Sequence, residues 1–195
     1  MNNIVTKASE YVTDLLTKHL PSVYTYHNLL HTQKVVDAST EIGRNSGLTE
    51  DQFEILLLTA WFHDTGFVMG LEGHEGKSIE LAEKFLKENN YPPEKIELIK
   101  NTISATEQAI KPVDILEMII RDSDIAYIGM DRFYERTFLL KHEWEIARDK
   151  KYTEDEWIKS NLEFLTKAEF YTSYAKSRYE EGKQKNITFL KSLLK

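Results

Sequence analysis

The chain has 195 residues, of which 41% are hydrophobic; it carries a formal net charge of −7 and contains no cysteine. Without cysteine, disulfides, thiolate zinc sites and cysteine nucleophiles are excluded, so histidine and carboxylate side chains must hold any metal. The interspersed charges argue against a surface for duplex nucleic acid, because such surfaces cluster lysine and arginine against the phosphates.

Apolar residues recur at three- and four-residue spacing along almost the whole chain, which is the period of amphipathic helices. Thr49 with Gln52, and Thr153 with Glu156, are predicted capping boxes at two helix starts. Gly66 is predicted to adopt the backbone conformation of a helix terminus. The predicted helices, in chain order, are 3–19, 27–44, 49–62, 75–89, 93 to beyond 103, 115–124, 131–148, 153 to beyond 165, and 173 onward.

The fold class is therefore predicted to be all-α, a bundle of about eight or nine helices whose core is lined by the second to sixth. Nothing in the composition shifts sharply enough to mark a second domain, so one domain over residues 1–195 is expected. No window approaches the roughly 18 apolar residues of a membrane span, and residues 1–10 lack the pattern of a targeting signal. We expect a soluble, cytoplasmic protein without a membrane partner, whose oligomeric state does not follow from the sequence.

Histidine and aspartate recur beside apolar helical runs. His63 and Asp64 end the most apolar of the predicted helices, His31 lies in the helix before it, and Asp124 follows the apolar run 118–120. Two imidazoles and two carboxylates form a ligand set that suits a divalent transition metal with open positions for water. A bare carboxylate at the end of a buried run is costly, and a cation removes that cost. The set therefore favours a hydrolase.

The order His31, His63-Asp64, Asp124 resembles the signature of the HD-domain superfamily, an all-helical group of mostly metal-dependent phosphohydrolases. The resemblance covers about residues 26–129, and the apolar run before His63 agrees with it. It implies that these four residues bind a metal between the second, third and sixth helices. It also implies a metal-site core over about 26–129, followed by a helical C-terminal extension (about 130–195).

The segment from Tyr26 to His31 is similar to the Tyr-His-Asn-x-x-His segment of cyclic-nucleotide phosphodiesterases. In that family the first histidine donates a proton to the leaving oxygen and the second binds metal. His27 and His31 are four residues apart, which on a helix places both rings on one face. The resemblance implies that His27 and Asp64 are catalytic, and that a small phosphate ester is hydrolysed, a cyclic nucleotide being favoured over a nucleoside monophosphate.

The resemblance to the cyclic-nucleotide phosphodiesterases also implies the number of metal ions. Asp64 is expected to bridge to a second, loosely held ion, for which His74 is a candidate ligand. Lys77 and Arg121 are candidates for the second metal or the substrate by proximity in the sequence. Dinuclear relatives usually carry a further histidine near residues 103–107, where this chain reads ISATE. We expect one tight and one loose site; the metal, among Mn, Fe, Ni, Co, Zn and Mg, does not follow from the ligands.

Three structural alternatives compete with this interpretation. In the first alternative, Asp64 caps the turn that follows it and His63 packs in the core. Asp122 would replace Asp124 as the last ligand, with Asp124 as a helix cap. His27 would be a hydrogen-bonded surface group.

Alternatives also exist for the function. A metal-stabilised module that binds a nucleotide without turnover is one, and a helical interaction protein without metal is another. The aromatic residues of the seventh and eighth helices are typical of a core, although Tyr127 and Phe133 are candidates for lining a nucleobase site. A small phosphate ester or nucleotide is the expected partner in the leading interpretation.

Overall fold

The structure, a computed structural model, describes residues 3–194, so the predicted domain limits at residues 1 and 195 lie outside it. No strand occurs within this range, and the all-α prediction is confirmed. None of the described helices combines the length and apolar character needed to cross a bilayer. Two short 3-10 turns, Thr65–Met69 and Ala126–Gly129, were not predicted. The nine α-helices of the described range are α1 (Asn3–His19), α2 (Leu29–Arg44), α3 (Glu50–Phe62), α4 (His74–Glu88), α5 (Pro93–Ser104), α6 (Ile115–Ile125), α7 (Phe133–Ala147), α8 (Glu154–Lys167) and α9 (Ser173–Leu193).

Capping boxes begin α3 and α8, as predicted. The hydroxyl of Thr49 accepts from the backbone N–H of Gln52, and the Gln52 side chain accepts from the backbone N–H of Thr49. Thr153 and Glu156 make the same reciprocal pair. Each box satisfies two N–H groups that the helix itself leaves unpaired, and a cap of this kind stabilises a helix by about 1 kcal/mol.

The start of α2 differs from the prediction. The helix begins at Leu29 because Asn28 is its N-cap, with Oδ1 accepting from the backbone N–H groups of Leu30 at 2.9 Å and His31 at 3.2 Å. His27 therefore precedes the helix, and the prediction that it shares a helical face with His31 is wrong. The two rings nevertheless lie 5.5 Å apart.

Gly66 is needed for a reason other than the predicted one. It lies in the first 3-10 turn and its backbone is not in the left-handed region. A Cβ on Gly66 would lie 2.0 Å from the carbonyl oxygen of His74, so the missing side chain lets this turn pack closely on α4. The backbone N–H of Gly66 donates to Ser78 Oγ at 2.8 Å. The left-handed residues of this region are Gly70 and Gly73, on the connection to α4.

Side chains from all nine α-helices contribute to one buried apolar cluster. The second 3-10 turn packs on α9 through a glycine pair, since a Cβ on Gly182 would lie 2.0 Å from the carbonyl oxygen of Gly129. Asp122 fixes the start of α9 by accepting from the backbone N–H groups of Tyr171 at 2.7 Å and Thr172 at 2.8 Å. The segment after residue 129 therefore packs closely on the preceding helices.

Candidate metal centre

Three helix ends meet at one point in the interior. His31 lies in the first turn of α2, His63 directly follows α3, and Asp124 lies in the last turn of α6. One ligand atom from each of these residues lies within 4.8 Å of the other two. Both histidines are buried, and the Asp124 side chain is 30% exposed. The three residues form a group that could hold a metal ion and remain accessible from one side.

Asp64 adjoins this group from the position after His63. The chain changes there from α-helix to the first 3-10 turn, which lets the neighbouring side chains of His63 and Asp64 approach each other. Asp64 Oδ2 lies 3.1 Å from Nε2 of His31 and 3.2 Å from Nε2 of His63. Asp124 Oδ1 lies 3.2 Å and 3.9 Å from the same two nitrogens.

The spacing of these atoms fits a shared cation. Ligand distances of about 2.0–2.2 Å to one ion place neighbouring ligand atoms about 3.0–3.5 Å apart, and the Nε2 atoms of His31 and His63 are 3.4 Å apart. Asp64 Oδ2 is buried and has no partner of hydrogen-bond geometry within residues 3–194. A buried carboxylate is costly unless a positive charge lies beside it, and either the protonated imidazoles of His31 and His63 or a cation would offset that cost.

The ring of His63 is oriented by the main chain. Its Nδ1–H donates to the carbonyl oxygen of Ala60 at 2.9 Å. Nε2 is then the nitrogen with a free lone pair, and it faces Asp64 and His31. Metal-binding histidines are typically held in this way by a hydrogen bond from the other ring nitrogen.

The protonation of each histidine and aspartate of the centre depends on the charges of the others. Burial by itself lowers the pKa of His31, but the carboxylates of Asp124 and Asp64 raise it to about 9. Burial raises the pKa of Asp64, but His63 and His31 hold it well below its ordinary value. The metal-free centre therefore favours protonated imidazole beside ionised carboxylate, and a bound metal would take the place of those protons.

His74, the predicted second-site residue, lies beside the other oxygen of Asp64. Its Nε2 is 3.7 Å from Asp64 Oδ1, and its Nδ1–H donates to the carbonyl oxygen of Leu71 at 3.1 Å. The two oxygens of Asp64 thus lie near different imidazoles, Oδ2 near His31 and His63 and Oδ1 near His74. A bridging role for Asp64 stays a prediction.

Lys77 is placed away from this group. Its Nζ donates to the carbonyl oxygens of Met69, Gly70 and Glu72 at 3.0, 3.4 and 2.8 Å. An ammonium group has three protons, and each has a carbonyl acceptor here. Lys77 therefore stabilises the connection between the first 3-10 turn and α4.

Arg121 lies one turn before Asp124 on α6. Its Nη1 donates to the carbonyl oxygens of Ala105, Thr106 and Glu107 at 3.2, 3.2 and 2.7 Å. Residues three apart on a helix share a face, and Arg121 and Asp124 both line the cavity described below. The structure thus places the positive charge of Arg121 on the cavity that Asp124 also lines, held by the carbonyl oxygens that follow α5.

Asp122, the alternative last ligand, faces elsewhere. Besides the two backbone N–H groups named above, it accepts the hydroxyl of Thr172 at 2.7 Å. Its carboxylate is fully buried and its hydrogen bonds hold α9. The structure brings Asp124 rather than Asp122 to the two histidines.

His27 is held by a residue that the sequence reasoning missed. Glu143 of α7 is fully buried, and its Oε2 accepts from the backbone N–H groups of Tyr26 at 2.9 Å and His27 at 3.0 Å. Its Oε1 pairs with Nδ1 of His27. The His27 ring also stacks on Phe67, with centroids 4.5 Å apart. The carboxylate and the aromatic face together fix this ring next to His31.

The sequence contains only a weak signal for Glu143. Thr137, Leu140 and Glu143 recur at three-residue spacing on a predicted helix, which places a carboxylate on a face that also carries apolar groups. Such a residue is noticeable because carboxylates are rarely buried without a partner. The partner, His27, is 116 residues away in the chain, and no local motif connects the two.

A cavity of about 620 Å³ adjoins the centre. Tyr26, His27 and Asp124 of the candidate metal centre are part of its lining, together with residues of α7 and α8. This volume is within the range of small-molecule sites, about 300–1,000 Å³. Tyr127 is part of the lining, whereas Phe133 is fully buried and packs against Tyr127.

Comparison with family models, with curated proteins and with solved structures found no match for this chain. The likeness to the HD-domain superfamily therefore stays a resemblance of motif, and the chemistry of the site rests on its own residues.

Proposed function

We propose that this chain is a metal-dependent phosphohydrolase that acts on a small phosphate ester, a cyclic nucleotide phosphodiester being the favoured substrate. The supporting observation is the convergence of His31, His63 and Asp124, with the buried Oδ2 of Asp64 within 3.2 Å of both imidazoles, beside a cavity that Asp124 lines. A divalent ion bound there supplies Lewis-acid stabilisation of a phosphoryl oxygen and lowers the pKa of a bound water.

In this proposal His31, His63, Asp64 and Asp124 hold the tightly bound ion. Their imidazole and carboxylate groups are the ligands that Mn, Fe, Ni, Co and Zn accept. His74 and the Oδ1 atom of Asp64 contribute to a second, looser site, since they lie 3.7 Å apart. The Asp64 carboxylate is therefore shared between the two sites.

His27 is the proposed general acid. Glu143 pairs with Nδ1, so Nε2 is the nitrogen that gives a proton to the departing oxygen of the ester. The stacked Phe67 ring restricts rotation of the imidazole, which keeps Nε2 in one direction. Glu143 is a positioning residue in this scheme, because it acts on the substrate only through His27.

Arg121 is proposed to add positive charge where the ester enters. It lies on the same face of α6 as Asp124, and both residues line the cavity. Its hydrogen bonds to the end of α5 hold the guanidinium in place, so little side-chain freedom is lost when an anion binds. Lys77 has no part in this proposal because three carbonyl oxygens occupy its protons.

The test is a turnover screen of the purified full chain. The protein is stripped of metal, reloaded with Mn²⁺, Fe²⁺, Ni²⁺, Co²⁺, Zn²⁺ or Mg²⁺, and given cyclic nucleotides, nucleoside monophosphates and bis(p-nitrophenyl) phosphate. We expect metal-dependent conversion of a cyclic nucleotide to its monophosphate without release of inorganic phosphate. Release of phosphate from a monophosphate would instead identify a phosphatase, and no turnover with any metal would overturn the proposal.

A further inference from the structure

The helix α7 carries apolar residues on both of its faces. On the inner face Phe133 is fully buried and Leu140 lines the cavity. On the outer face Phe138, Leu139 and Ile146 are 43%, 46% and 50% exposed. A helix that is apolar all round is usually covered on all sides. Within the described part of the chain, only one face of α7 is covered.

The exposed apolar surface continues from α7 onto α9. The Tyr134 ring contacts the rings of both Phe138 and Phe189, with centroids 4.9 Å and 5.4 Å apart, and Phe189 is 44% exposed. Leu139 and Ile146 are about two helical turns apart, so they share a face of α7. We call this surface the α7 patch; its members are Phe138, Leu139, Ile146 and Phe189.

The apolar area of the α7 patch is close to that of a protein interface. Large side chains have about 150–250 Å² of surface each, so four of them at 43–50% exposure present about 350 Å². Soluble monomers rarely expose larger contiguous apolar patches than a few hundred Å². A standard interface buries about 800 Å² on each partner, of which somewhat more than half is apolar. The α7 patch therefore supplies most of the apolar part of such an interface.

Opposite charges flank the two ends of α7. Asp131 precedes the helix and Lys150 follows it, and neither has an ion-pair partner within residues 3–194. The Lys150 ammonium lies 4.6 Å from the centroid of the Tyr152 ring. Arg148, at the same end, contacts only the Trp144 ring, at 4.1 Å. The carboxylate at one end and the cations at the other are therefore available to a partner.

These charges fit an antiparallel copy of the same helix. Residues 131 and 150 are equally far along the chain from the midpoint between residues 140 and 141. A second α7, related by a two-fold axis through this midpoint, would place Asp131 of each copy next to Lys150 of the other. The same register overlaps the apolar stretches 138–146 of the two copies. Two-fold interfaces are self-complementary in this way, because one patch must face itself.

We infer that the α7 patch is the interface of a homodimer, in which the α7 helices of two copies pack antiparallel. Burial of the apolar side chains drives the association, and the pairs between Asp131 and Lys150 set its direction and register. This inference goes beyond the proposed function and does not depend on it, since the α7 patch contains no candidate metal ligand.

The first test measures the mass of the purified full chain in solution by light scattering. We expect twice the 22.8 kDa of one chain at micromolar concentration. Leu139→Glu should raise the dissociation constant at least about hundredfold, because it buries an unpaired charge in the interface. Leu98→Glu is the matched control, since Leu98 is an equally exposed leucine (44%) of α5, and it should leave the dimer intact.

Wild-type protein that stays monomeric up to its solubility limit would overturn the inference, as would equal dissociation constants for the two glutamate variants. A monomer that sediments with phosphatidylglycerol vesicles would assign the α7 patch to a lipid surface and overturn it as well. Far-UV circular dichroism verifies that both variants keep their helices.

The second test reverses the charges at the helix ends. Asp131→Lys and Lys150→Asp should each weaken the dimer about tenfold, because each turns two attractive contacts per dimer into repulsive ones. The double variant restores both contacts and should regain wild-type affinity, which a mere folding defect would not do. A double variant no tighter than the single variants would overturn the antiparallel arrangement.

The third test does not require the interface to be disrupted. The chain has no cysteine, so Leu139→Cys introduces its only thiol, close to the proposed two-fold axis. A short bismaleimide should link two copies through this thiol, and Leu98→Cys should stay unlinked under the same conditions. Equal linking of both variants, or of neither, would contradict the interface.

Discussion

At the residue scale, the Asp64 carboxylate lies near three imidazoles. Oδ2 lies within 3.2 Å of His31 and His63, and Oδ1 lies 3.7 Å from His74. The side chain is almost fully buried, so its charge is compensated by these groups or by a cation. Its removal should therefore affect the centre more than the loss of any exposed carboxylate.

The first prediction concerns Asp64→Ala. We expect loss of both bound metal and turnover, because one carboxylate contributes to both proposed sites. Metal content is measured by elemental analysis of protein purified in parallel with Asp14→Ala, which removes an exposed carboxylate from α1. A fully active Asp64→Ala protein would contradict the assignment.

The second prediction concerns His27→Ala. This change should lower kcat by about 10²–10⁴, the usual contribution of general acid–base catalysis, and leave metal content unchanged. His142→Ala, an exposed histidine next to Glu143, is the matched control and should keep wild-type kcat. Loss of metal in the His27 variant would place this residue among the ligands instead.

The third prediction is a pH dependence of the metal-free protein. The pKa of His31 is about 9 in the folded state, against an ordinary value of 6.5. The stabilisation that it contributes is therefore fully present below about pH 6.5 and is lost as the pH rises through 9. We expect the Tm of chelator-treated protein to fall over this interval, and to fall less in His31→Gln. If Tm falls equally with pH in both proteins, the pKa of His31 is not raised.

At the element scale, the first 3-10 turn and the start of α4 touch backbone to backbone. This contact holds Asp64, immediately before the turn, and His74, the first residue of α4, in a fixed relation. Any side chain at Gly66 would push the turn away from α4 and so separate Asp64 from His74.

The fourth prediction tests this contact with two glycines of the same region. Gly66→Ala should lower the free energy of unfolding by about 1–3 kcal/mol, because its Cβ would overlap the His74 carbonyl. Gly76→Ala, on α4 with no atom within 4 Å of the new Cβ, should be neutral or stabilise the helix by up to about 1 kcal/mol. Urea denaturation of both variants gives the comparison. Equal urea midpoints would show that Gly66 does not lie in close contact with the His74 carbonyl.

Helices are also the scale at which sequence reasoning worked best. Apolar spacing and the Thr49 and Thr153 caps locate most helix ends within one or two residues, since these signals are local. The start of α2 was misplaced because the His27–His31 spacing suggested a helix across Asn28, although asparagine is a preferred N-cap. The 3-10 turns were missed because contacts from distant segments, such as Ser78 Oγ to the Gly66 N–H, help to form them.

Part of the candidate metal centre is also predicted from the sequence, because its signals are local. His63 and Asp64 are adjacent, and each candidate ligand ends or begins an apolar run, so the helix pattern singles these residues out. Their convergence was implied only by the resemblance of motif. The contact of Glu143 with His27 and the cavity lining from α8 are not predicted, because they arise from packing of segments more than 100 residues from His27. Lys77 was a candidate by sequence proximity alone, and its side chain is placed on backbone carbonyls.

At the scale of the whole molecule, the C-terminal helices contribute to the surroundings of the candidate site. Glu143 comes from α7 and part of the cavity lining from α8, while the candidate metal ligands lie at the start of α2, directly after α3 and at the end of α6. Asp122 links the two parts, because it lies two residues before Asp124 and holds the start of α9.

The fifth prediction concerns this link. Asp122→Ala leaves the Tyr171 and Thr172 N–H groups without their acceptor, and we expect the free energy of unfolding to fall by about 2–4 kcal/mol. Metal content should persist in the folded fraction, because Asp122 does not face the histidines. Thermal unfolding and metal analysis on one sample measure both effects, and loss of metal without loss of stability would restore Asp122 as the ligand.

The α8 helix has a particular position in this arrangement. It contributes aromatic rings and polar groups to the lining of the cavity, yet it carries neither a proposed metal ligand nor a group that handles protons. If the proposed function holds, substitutions along this helix would change which molecule is accepted while the reaction itself stays the same. A designer would then retarget the protein by exchanging α8 residues alone.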